Sequence, residues 1–137
     1  MDFVIVLIHW RIKPNKVEEF KSWWCSEEAD VMNRSGLAGE FLSEPIPLDE
    51  LLRNTPSDHQ AFRVCDLAPT SCDDPYVPFV NVGFWKSWQE FYSQVGKNMN
   101  DEKPKKDFEQ YRRTRTILKP ERWRVGKSRL PVSDKLE

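Results

Sequence analysis

The chain has 137 residues, of which 39% are hydrophobic and 31% charged, and a net charge of −1. This length suits one domain with a complete hydrophobic core, and the charge balance gives no reason to expect nucleic acid or an anionic membrane as a partner. No apolar run approaches the roughly 20 residues that span a bilayer. The N-terminus lacks the basic segment and cleavage site of a signal peptide, and the three cysteines form no CxxC pair. These features favour a reduced, cytoplasmic protein.

The first part of the chain is predicted to fold as a strand followed by a helix. Residues 3–12 begin with six apolar residues in a row, which indicates a strand buried on both faces. Residues 16–33 carry apolar side chains at helical spacing, with Asn15 and Glu18 placed to form a capping box. Gly36 is predicted to follow this helix as a left-handed cap.

A second strand is predicted over residues 37–44, and it ends at Pro45. Prolines then punctuate residues 46–75, which we interpret as a long insertion that forms an edge hairpin or a lid over a cleft. Within it, residues 48–53 predict a short helical turn and residues 60–67 an additional strand.

Residues 77–85 predict a strand that leads directly into a helix over residues 88–95. Ser87 and Glu90, three residues apart, form a capping box that marks the start of this helix. Within the strand, alternate residues point to opposite faces, which separates its side chains into two sets.

A further helical turn is predicted near Phe108, before a last strand over residues 112–118 that is rich in arginine and threonine. An extended basic tail follows Pro120. The chain is therefore divided into one domain over residues 1–120, with the insertion inside it, and a basic C-terminal tail over residues 121–137.

The order strand, helix, strand, insertion, strand, helix, strand predicts an α+β fold of the ferredoxin-like βαββαβ type with an antiparallel sheet. Two helices cover only one face of a four-stranded sheet. Phe79, Gly83 and Trp85 are predicted to point away from the helices, so their face needs another cover. A second copy of the same sheet would supply it, which predicts a homodimer of the dimeric α/β barrel type with a semi-enclosed cavity between the sheets.

Asn81 and Trp85 are the leading candidates for a functional site. They lie four residues apart on one face of the same predicted strand. A buried asparagine needs hydrogen-bond partners, and a buried indole needs an acceptor for its N–H, so a polar pocket would explain the pair. Two other interpretations stay open, with Trp85 as a core or interface anchor and Asn81 at a strand edge.

Three segments of the chain resemble the antibiotic-biosynthesis-monooxygenase-like (ABM) family of the dimeric α/β barrel superfamily. They are KPNKVEEF at 13–20, a strand exit and acidic helix start; NVGFWKSWQEF at 81–91, similar to the family's W-x-S-x-x-x-F junction; and the arginine-rich RRTRTIL at 112–118. The resemblance covers most of residues 3–45 and 77–120. It implies the dimeric barrel fold and an oxidation of small molecules.

The resemblance also implies roles for particular residues. Cofactor-independent monooxygenases of this family carry an asparagine and a tryptophan four residues apart on this strand, and Asn81 and Trp85 match in type and spacing. Asn81 would hold the oxygen of a small aromatic or enolisable substrate, and Trp85 would stack on its ring while O₂ oxidises it without a cofactor. The family's helix tyrosine falls one residue from Tyr92, and Lys105 stands where the family has an arginine.

Proton abstraction from such a substrate needs a base, and His9 or Tyr92 would supply it. The sequence leaves open which face of the first strand His9 occupies, and a hydrogen-bonded core histidine is the alternative. Heme-degrading members of the superfamily need an axial histidine after the second helix, and no histidine follows His59, which argues against heme. The cysteines near His59 fit no standard zinc spacing, so no metal is predicted.

Four further residues are predicted to contact the substrate. Phe79 and Trp10 would line the pocket, whereas Arg113 and Arg115 share a face of the last strand and would bind a carboxylate or enolate. Solvated or ion-paired arginines are the alternative. The basic tail around Trp123 is also a pattern that suits nucleic acid, but acidic residues elsewhere balance it, and no nucleic-acid or membrane partner is predicted.

Two other function classes stay open from the sequence. A non-catalytic binding or assembly module would use the same fold with a filled cavity, or with a small apolar ligand that is not converted. An isomerase or decarboxylase would need proton transfer alone, and its independence of oxygen would separate it from a monooxygenase.

Overall fold

The computed structural model describes residues 3–26, 35–59, 74–98, 106–124 and 126–128. Its strands are β1 (Val4–Ile12), β2 (Leu37–Ser43), β3 (Val77–Trp85) and β4 (Glu109–Leu118), and its helices are α1 (Val17–Trp24), α2 (Leu48–Arg53) and α3 (Trp88–Gln94). Single 3₁₀ turns occur at Pro14–Lys16, Ser57–His59 and Gly96–Asn98. None of the helices in these ranges is long and apolar enough to cross a membrane.

The four strands form one antiparallel sheet in the order β2-β3-β1-β4. An α+β fold is thereby confirmed, and the arrangement is compatible with the predicted ferredoxin-like type. β1, β2, β3 and α3 begin and end within one residue of their predicted bounds. Leu7 of β1 lies opposite Val82 of β3 and Thr116 of β4, and this register determines which side chains share a face.

The hydrophobic core lies on the face of the sheet that α1 and α3 cover. Two clusters of buried side chains form it, the first under α1 and the second under α3. The clusters consist of Trp10, Ile12, Phe20, Phe79 and Phe108, and of Val4, Val6, Trp85 and Phe91. Ile8 packs against both clusters and joins them. Burying one large apolar side chain contributes about 1.5–3 kcal/mol, so this face holds the fold together.

The starts of α1 and α3 differ in their capping. Ser87 caps α3 as predicted, since its Oγ accepts a hydrogen bond of 3.0 Å from the backbone N–H of Glu90. The capping box predicted at Asn15 is wrong. The 3₁₀ turn Pro14–Lys16 precedes α1, so Lys16 takes the N-cap position and no side chain caps the helix.

Gly36 is not a left-handed cap, because no glycine among the described residues has a positive φ. The position needs glycine for space: a Cβ there would lie 2.5 Å from the Cβ of Glu90, so only glycine lets the chain enter β2 this close to α3. The Gly36 N–H donates to Gln94 Oε1 at 3.2 Å, and its carbonyl accepts from the N–H of Lys86 at 2.9 Å. The predicted end of the first helix falls at residues 27–34, outside the described residues.

Only part of the predicted insertion lies within the described residues. α2 confirms the helical turn predicted at residues 48–53. Arg53 and Asp49 form an exposed ion pair on it at 3.1 Å, which adds little stability. The strand predicted at residues 60–67 lies outside the described residues.

The last strand begins three residues earlier than predicted. Phe108 lies in a turn rather than in a helix, and β4 starts at Glu109. The Glu109 carboxylate is fully buried and accepts hydrogen bonds from the backbone N–H groups of Lys106 and Arg113. These bonds hold the turn against the start of the strand, which the arginine-rich sequence pattern alone does not reveal.

Candidate functional site

The two faces of the sheet differ in what covers them. Along β3 the burial alternates, with Asn81, Gly83 and Trp85 buried and the intervening residues partly exposed. The buried set lies on the side that α1 and α3 cover, which we call the helix face. The other side, which we call the open face, presents Val80 and Val82 outward.

The structure contradicts the predicted orientation of Asn81 and Trp85. Both lie on one face, as predicted, but on the helix face. Trp24 of α1 donates its indole N–H to Asn81 Oδ1 at 2.6 Å, and Trp85 packs edge-on against Phe91 of α3 with ring centroids 5.4 Å apart. The reason is bulk, because Trp10, Phe79 and Trp85 fill the space under the helices, whereas the opposite side of β1 and β3 carries mainly aliphatic residues and Phe84.

The Asn81 amide is 2% exposed, and both of its ends are hydrogen-bonded. Oδ1 accepts from Trp24, and Nδ2 donates to Glu40 Oε1 at 2.7 Å, so the chain of bonds links α1, β3 and β2. Removing one partner of a buried polar group costs about 1–3 kcal/mol. The amide therefore serves the fold, and its predicted role toward a substrate oxygen stays a prediction. Sequence reasoning missed Trp24 and Glu40 because both partners are distant along the chain.

Trp85 lies along the strand, over Gly83. A Cβ on Gly83 would come within 3.3 Å of Trp85 Nε1 and 3.7 Å of the carbonyl oxygen of Val6, so glycine leaves the space that the indole occupies. With Phe91 packed against it, the indole is 5% exposed. This position agrees with the core-anchor interpretation, and stacking on a substrate stays a prediction.

A cavity of about 290 Å³ opens on the open face. Its lining includes His9, Arg11, Pro78, Val80, Thr114 and Thr116. His9 lies in the middle, opposite Val80 of β3 and Thr114 of β4. His9 therefore lies on the open face, on the opposite side of the sheet from Asn81. The sequence had left the face of His9 undecided.

Arg11 is a cavity residue that sequence reasoning missed. Its guanidinium lies 5.3 Å from the centroid of the Tyr111 ring, and its Nη2 donates to the carbonyl of Arg112. Its Nε is buried and has no hydrogen-bond partner among the described residues. A guanidinium carries four further N–H donors on Nη1 and Nη2, and a positive charge with such donors beside a cavity suits an anionic ligand. The available signal was its position two residues after His9, which places both on one face.

Arg113 and Arg115 share a face of β4, as predicted, but that face is the helix face. Arg115 lies opposite Ile8. The Arg113 guanidinium donates to the buried Glu109 carboxylate at 2.9 Å and lies 5.0 Å from the centroid of a Trp10 ring. The positive charge of Arg113 is thus paired with the Glu109 carboxylate within the fold. Binding of a substrate carboxylate by Arg113 or Arg115 stays a prediction.

The remaining predicted residues do not join one site. Tyr92 is 52% exposed on α3, where its ring lies 6.1 Å from that of Trp88. Trp10 and Phe79 belong to the core cluster under α1, although both also border the cavity of the open face. The structure therefore distributes the predicted residues over both faces of the sheet and the outer surface of a helix.

Within the described ranges, the ionisable groups with a shifted pKa are Lys16, which precedes α1, and Asp107, which precedes β4. The Lys16 ammonium is 3.0 Å from Asp107 and 3.2 Å from Glu19. The hydrogen bond with Asp107 raises the pKa of Lys16, and the same bond lowers the pKa of Asp107. These groups do not line the cavity, so they concern stability and not the site.

The described part of the chain offers no group of three or more His, Cys, Asp or Glu residues that could hold a metal ion. Cys25 is exposed as a free thiol. Cys65 and Cys72 lie outside the described residues, so the weak metal pattern weighed in the sequence has no structural description.

Comparisons with protein-family models and with curated proteins gave no match. The resemblance to the ABM family therefore depends on the three sequence segments alone and stays a prediction. The geometry offers, independently of it, a partly exposed apolar sheet face with a cavity beside His9 and Arg11.

Proposed function

We propose that the protein is a homodimeric binding module that holds a small aromatic or enolisable molecule on the open face of its sheet. The observation that carries the proposal is the cavity of about 290 Å³ beside His9. Sites for small molecules are concave and mainly apolar, with a few polar groups that orient the ligand. Val80 and Pro78 supply the apolar lining here, and His9, Arg11 and the threonines supply the polar groups.

The composition of the open face supports a second copy as its cover. Its outward-facing residues are mainly apolar and partly exposed, and they include Ile5, Leu7, Phe41, Val80, Val82 and Phe84. An antiparallel sheet that faces water normally turns polar residues outward, so this face favours a protein partner. Two copies of one sheet are self-complementary in shape and can pack about 10 Å apart.

An aromatic cluster at one end of the open face supports the same partner. Phe3 lies 6.2 Å from Phe84 and 5.7 Å from Trp123, measured between ring centroids. Trp123 is nevertheless 58% exposed. A second sheet would bury this cluster and convert the cavity beside His9 from an open depression into a chamber.

The helix face supports binding over catalysis as the leading proposal. The asparagine that the ABM resemblance assigns to the substrate oxygen is committed to Trp24 and Glu40. Asn81 also lies on the opposite side of the sheet from the cavity. The chamber that we propose therefore lacks the polar amide on which the predicted oxidation was based.

Proton NMR of the histidine rings tests ligand binding, because the chain contains only two histidines. The full chain is titrated with 1,8-dihydroxyanthrone, and the His9 signal is assigned from its loss in His9→Gln. We expect a saturable shift of the His9 signal, and the same shift in the control variant Tyr92→Phe. Absence of any shift at His9 would contradict the proposal.

Oxidation by O₂ without a cofactor is the second candidate, and the place of His9 in the cavity favours it. An imidazole is the most frequent general base in enzymes and could take the proton of a phenol or an activated C–H group. The substrate anion would then reduce O₂ itself. An isomerase would take the same proton and return it at another atom, whereas a decarboxylase would release CO₂ and deliver a proton to the carbon left behind.

An oxygen electrode separates these candidates. Oxygen uptake with 1,8-dihydroxyanthrone that falls by about 10²–10⁴-fold in His9→Gln, and not in Tyr92→Phe, would establish the monooxygenase. Binding without oxygen uptake and without proton exchange into the compound leaves the binding module. Exchange of substrate protons with solvent in the absence of oxygen uptake would assign proton-transfer chemistry of the isomerase type.

A further inference from the structure

The open face is one-sided in charge. The chain contains 22 Asp and Glu residues, but within the four strands only Glu40 and Glu109 are acidic. Both lie on the helix face, opposite Gly83 and Ile12 respectively. The outward positions of the strands therefore carry no carboxylate, whereas Arg11 adds a positive charge there, which favours an anionic ligand.

Arg11 borders the cavity with most of its hydrogen-bonding capacity unused. A guanidinium has five N–H donors. One N–H of Nη2 goes to the carbonyl of Arg112, and Nε has no partner among the described residues. The Tyr111 ring supports the guanidinium at 5.3 Å from its centroid, which restricts its orientation without using its donors.

The two sides of the cavity differ in polarity. β4 contributes the hydroxyls of Thr114 and Thr116, and β3 contributes Pro78 and Val80. His9 lies between these sides. At about 290 Å³, the cavity is at the lower end of the range for ligand sites, so its ligand is small, with an apolar side and a polar edge.

We infer that the cavity binds a small aromatic monocarboxylate, with its carboxylate on Arg11 and its ring against Pro78 and Val80. This inference rests on the proposed binding function and names the ligand class. A planar guanidinium matches a carboxylate through two parallel charge-assisted hydrogen bonds. The role that sequence reasoning gave to Arg113 and Arg115 thereby passes to Arg11.

Benzoate and benzamide test this ligand class, because they share a ring and a shape but differ in charge. The full chain is titrated with each compound, and the shift of the His9 ring signal gives the two affinities. We expect benzoate to bind about tenfold more tightly than benzamide. Arg11→Met keeps an apolar stem but removes the charge, and should reduce the affinity for benzoate to that for benzamide.

A matched control is Arg122→Met, which makes the same change in charge at a side chain that is 92% exposed in the tail. It should keep the preference for benzoate. If Arg11→Met is unfolded by circular dichroism, Arg11→Lys replaces it: the charge is kept and the fork is lost, so benzoate should still be preferred but bind several-fold more weakly. Unchanged benzoate affinity in the folded Arg11 variant would overturn the inference.

The outcomes also separate this inference from the proposed function. Equal affinities for benzoate and benzamide, with the His9 signal shifting for both, would overturn the carboxylate and leave the binding module. Absence of a His9 shift with either of them and with 1,8-dihydroxyanthrone would overturn both.

Discussion

The helix face and the open face of this sheet are made from the same four strands, yet they differ in what their polar groups contact. On the helix face, the Asn81 amide is bonded at both ends, and the Glu109 carboxylate accepts three hydrogen bonds. On the open face, the Nε of Arg11 is buried beside a cavity without a partner among the described residues. Unpaired donors are not confined to the open face, because Trp10 Nε1 under α1 also lacks a partner among the described residues. The charge of Arg11 and its place beside the cavity are what mark the candidate site.

The same contrast holds for apolar side chains. On the helix face, Phe79 and Trp85 are almost completely buried. On the open face of the same strand, Val80, Val82 and Phe84 stay partly exposed. These partly exposed apolar residues are the reason for proposing a second copy as the cover of this face.

The largest expected effect on stability comes from removing a large core side chain from the helix face. Phe79→Ala should lower the free energy of unfolding by about 3–5 kcal/mol, because the ring packs against Phe20 in the core. Phe84→Ala, on the open face of the same strand, should cost less, and its cost should grow with protein concentration if a dimer buries that ring. Urea unfolding at two protein concentrations measures both. If both variants lose the same free energy of unfolding at both protein concentrations, the proposed difference between the two faces is contradicted.

Asn81→Ala should lower the free energy of unfolding by about 1–3 kcal/mol, because it removes the acceptor of the Trp24 indole N–H and a donor to Glu40. Asn54→Ala is the matched control, since the Asn54 side chain donates to a carbonyl of its own helix at an exposed site, and its effect should stay within about 0.5 kcal/mol. Thermal or urea unfolding gives both values. An Asn81→Ala variant of unchanged stability would speak for a functional rather than a structural amide.

Alanine substitutions at two glycines compare the free space near α3 with the free space on the open face. Gly36→Ala should cost about 1–3 kcal/mol, because the new Cβ would lie 2.5 Å from the Cβ of Glu90 on α3. Gly39 lies opposite Phe84 on the open face, and nothing lies within 4 Å of a Cβ there. Gly39→Ala should therefore be neutral or slightly stabilising. A comparison of melting temperatures decides, and a loss at Gly39 like that at Gly36 would contradict the assignment of the faces.

The smallest effect concerns the exposed pair of Lys16 and Asp107. The pKa of Asp107 is lowered in the folded state, so its contribution to stability is present above its ordinary value of 3.8 and is lost as the pH falls through the folded pKa. The pKa of Lys16 is raised above 10.5, so its contribution is lost at the opposite, alkaline end. Asp107→Asn should lower the melting temperature slightly at neutral pH and not at pH 2. A deficit that persisted at pH 2 would show that the pair is not its cause.

The sequence was sufficient for the elements whose signals are local. The alternation in β3 and the N-cap of α3 by Ser87 depend on residues close in the chain, and both were predicted correctly. The Glu90 carboxylate accepts from Gln94 Nε2. The order of these elements also led to the α+β class with an antiparallel sheet. Such signals need no knowledge of tertiary packing.

The choice of face was not predictable in the same way. Alternation divides β3 into two sets of side chains but does not say which set meets the helices, because that depends on packing between distant segments. Trp24, Glu40 and Asn81 are brought together only by the fold. The place of Arg11 beside the cavity likewise became evident only from the folded structure.

The most direct test of the account is sedimentation equilibrium of the wild-type chain and of Leu7→Glu. Leu7 lies in the middle of the open face, between Val82 and Thr116. We expect a wild-type dimer, a folded monomer for Leu7→Glu, and an unchanged dimer for Tyr92→Glu, which adds the same charge on the exposed side of α3. A wild-type monomer at micromolar concentration, or a Leu7→Glu variant that stays dimeric, would contradict the proposal that a second copy covers this face.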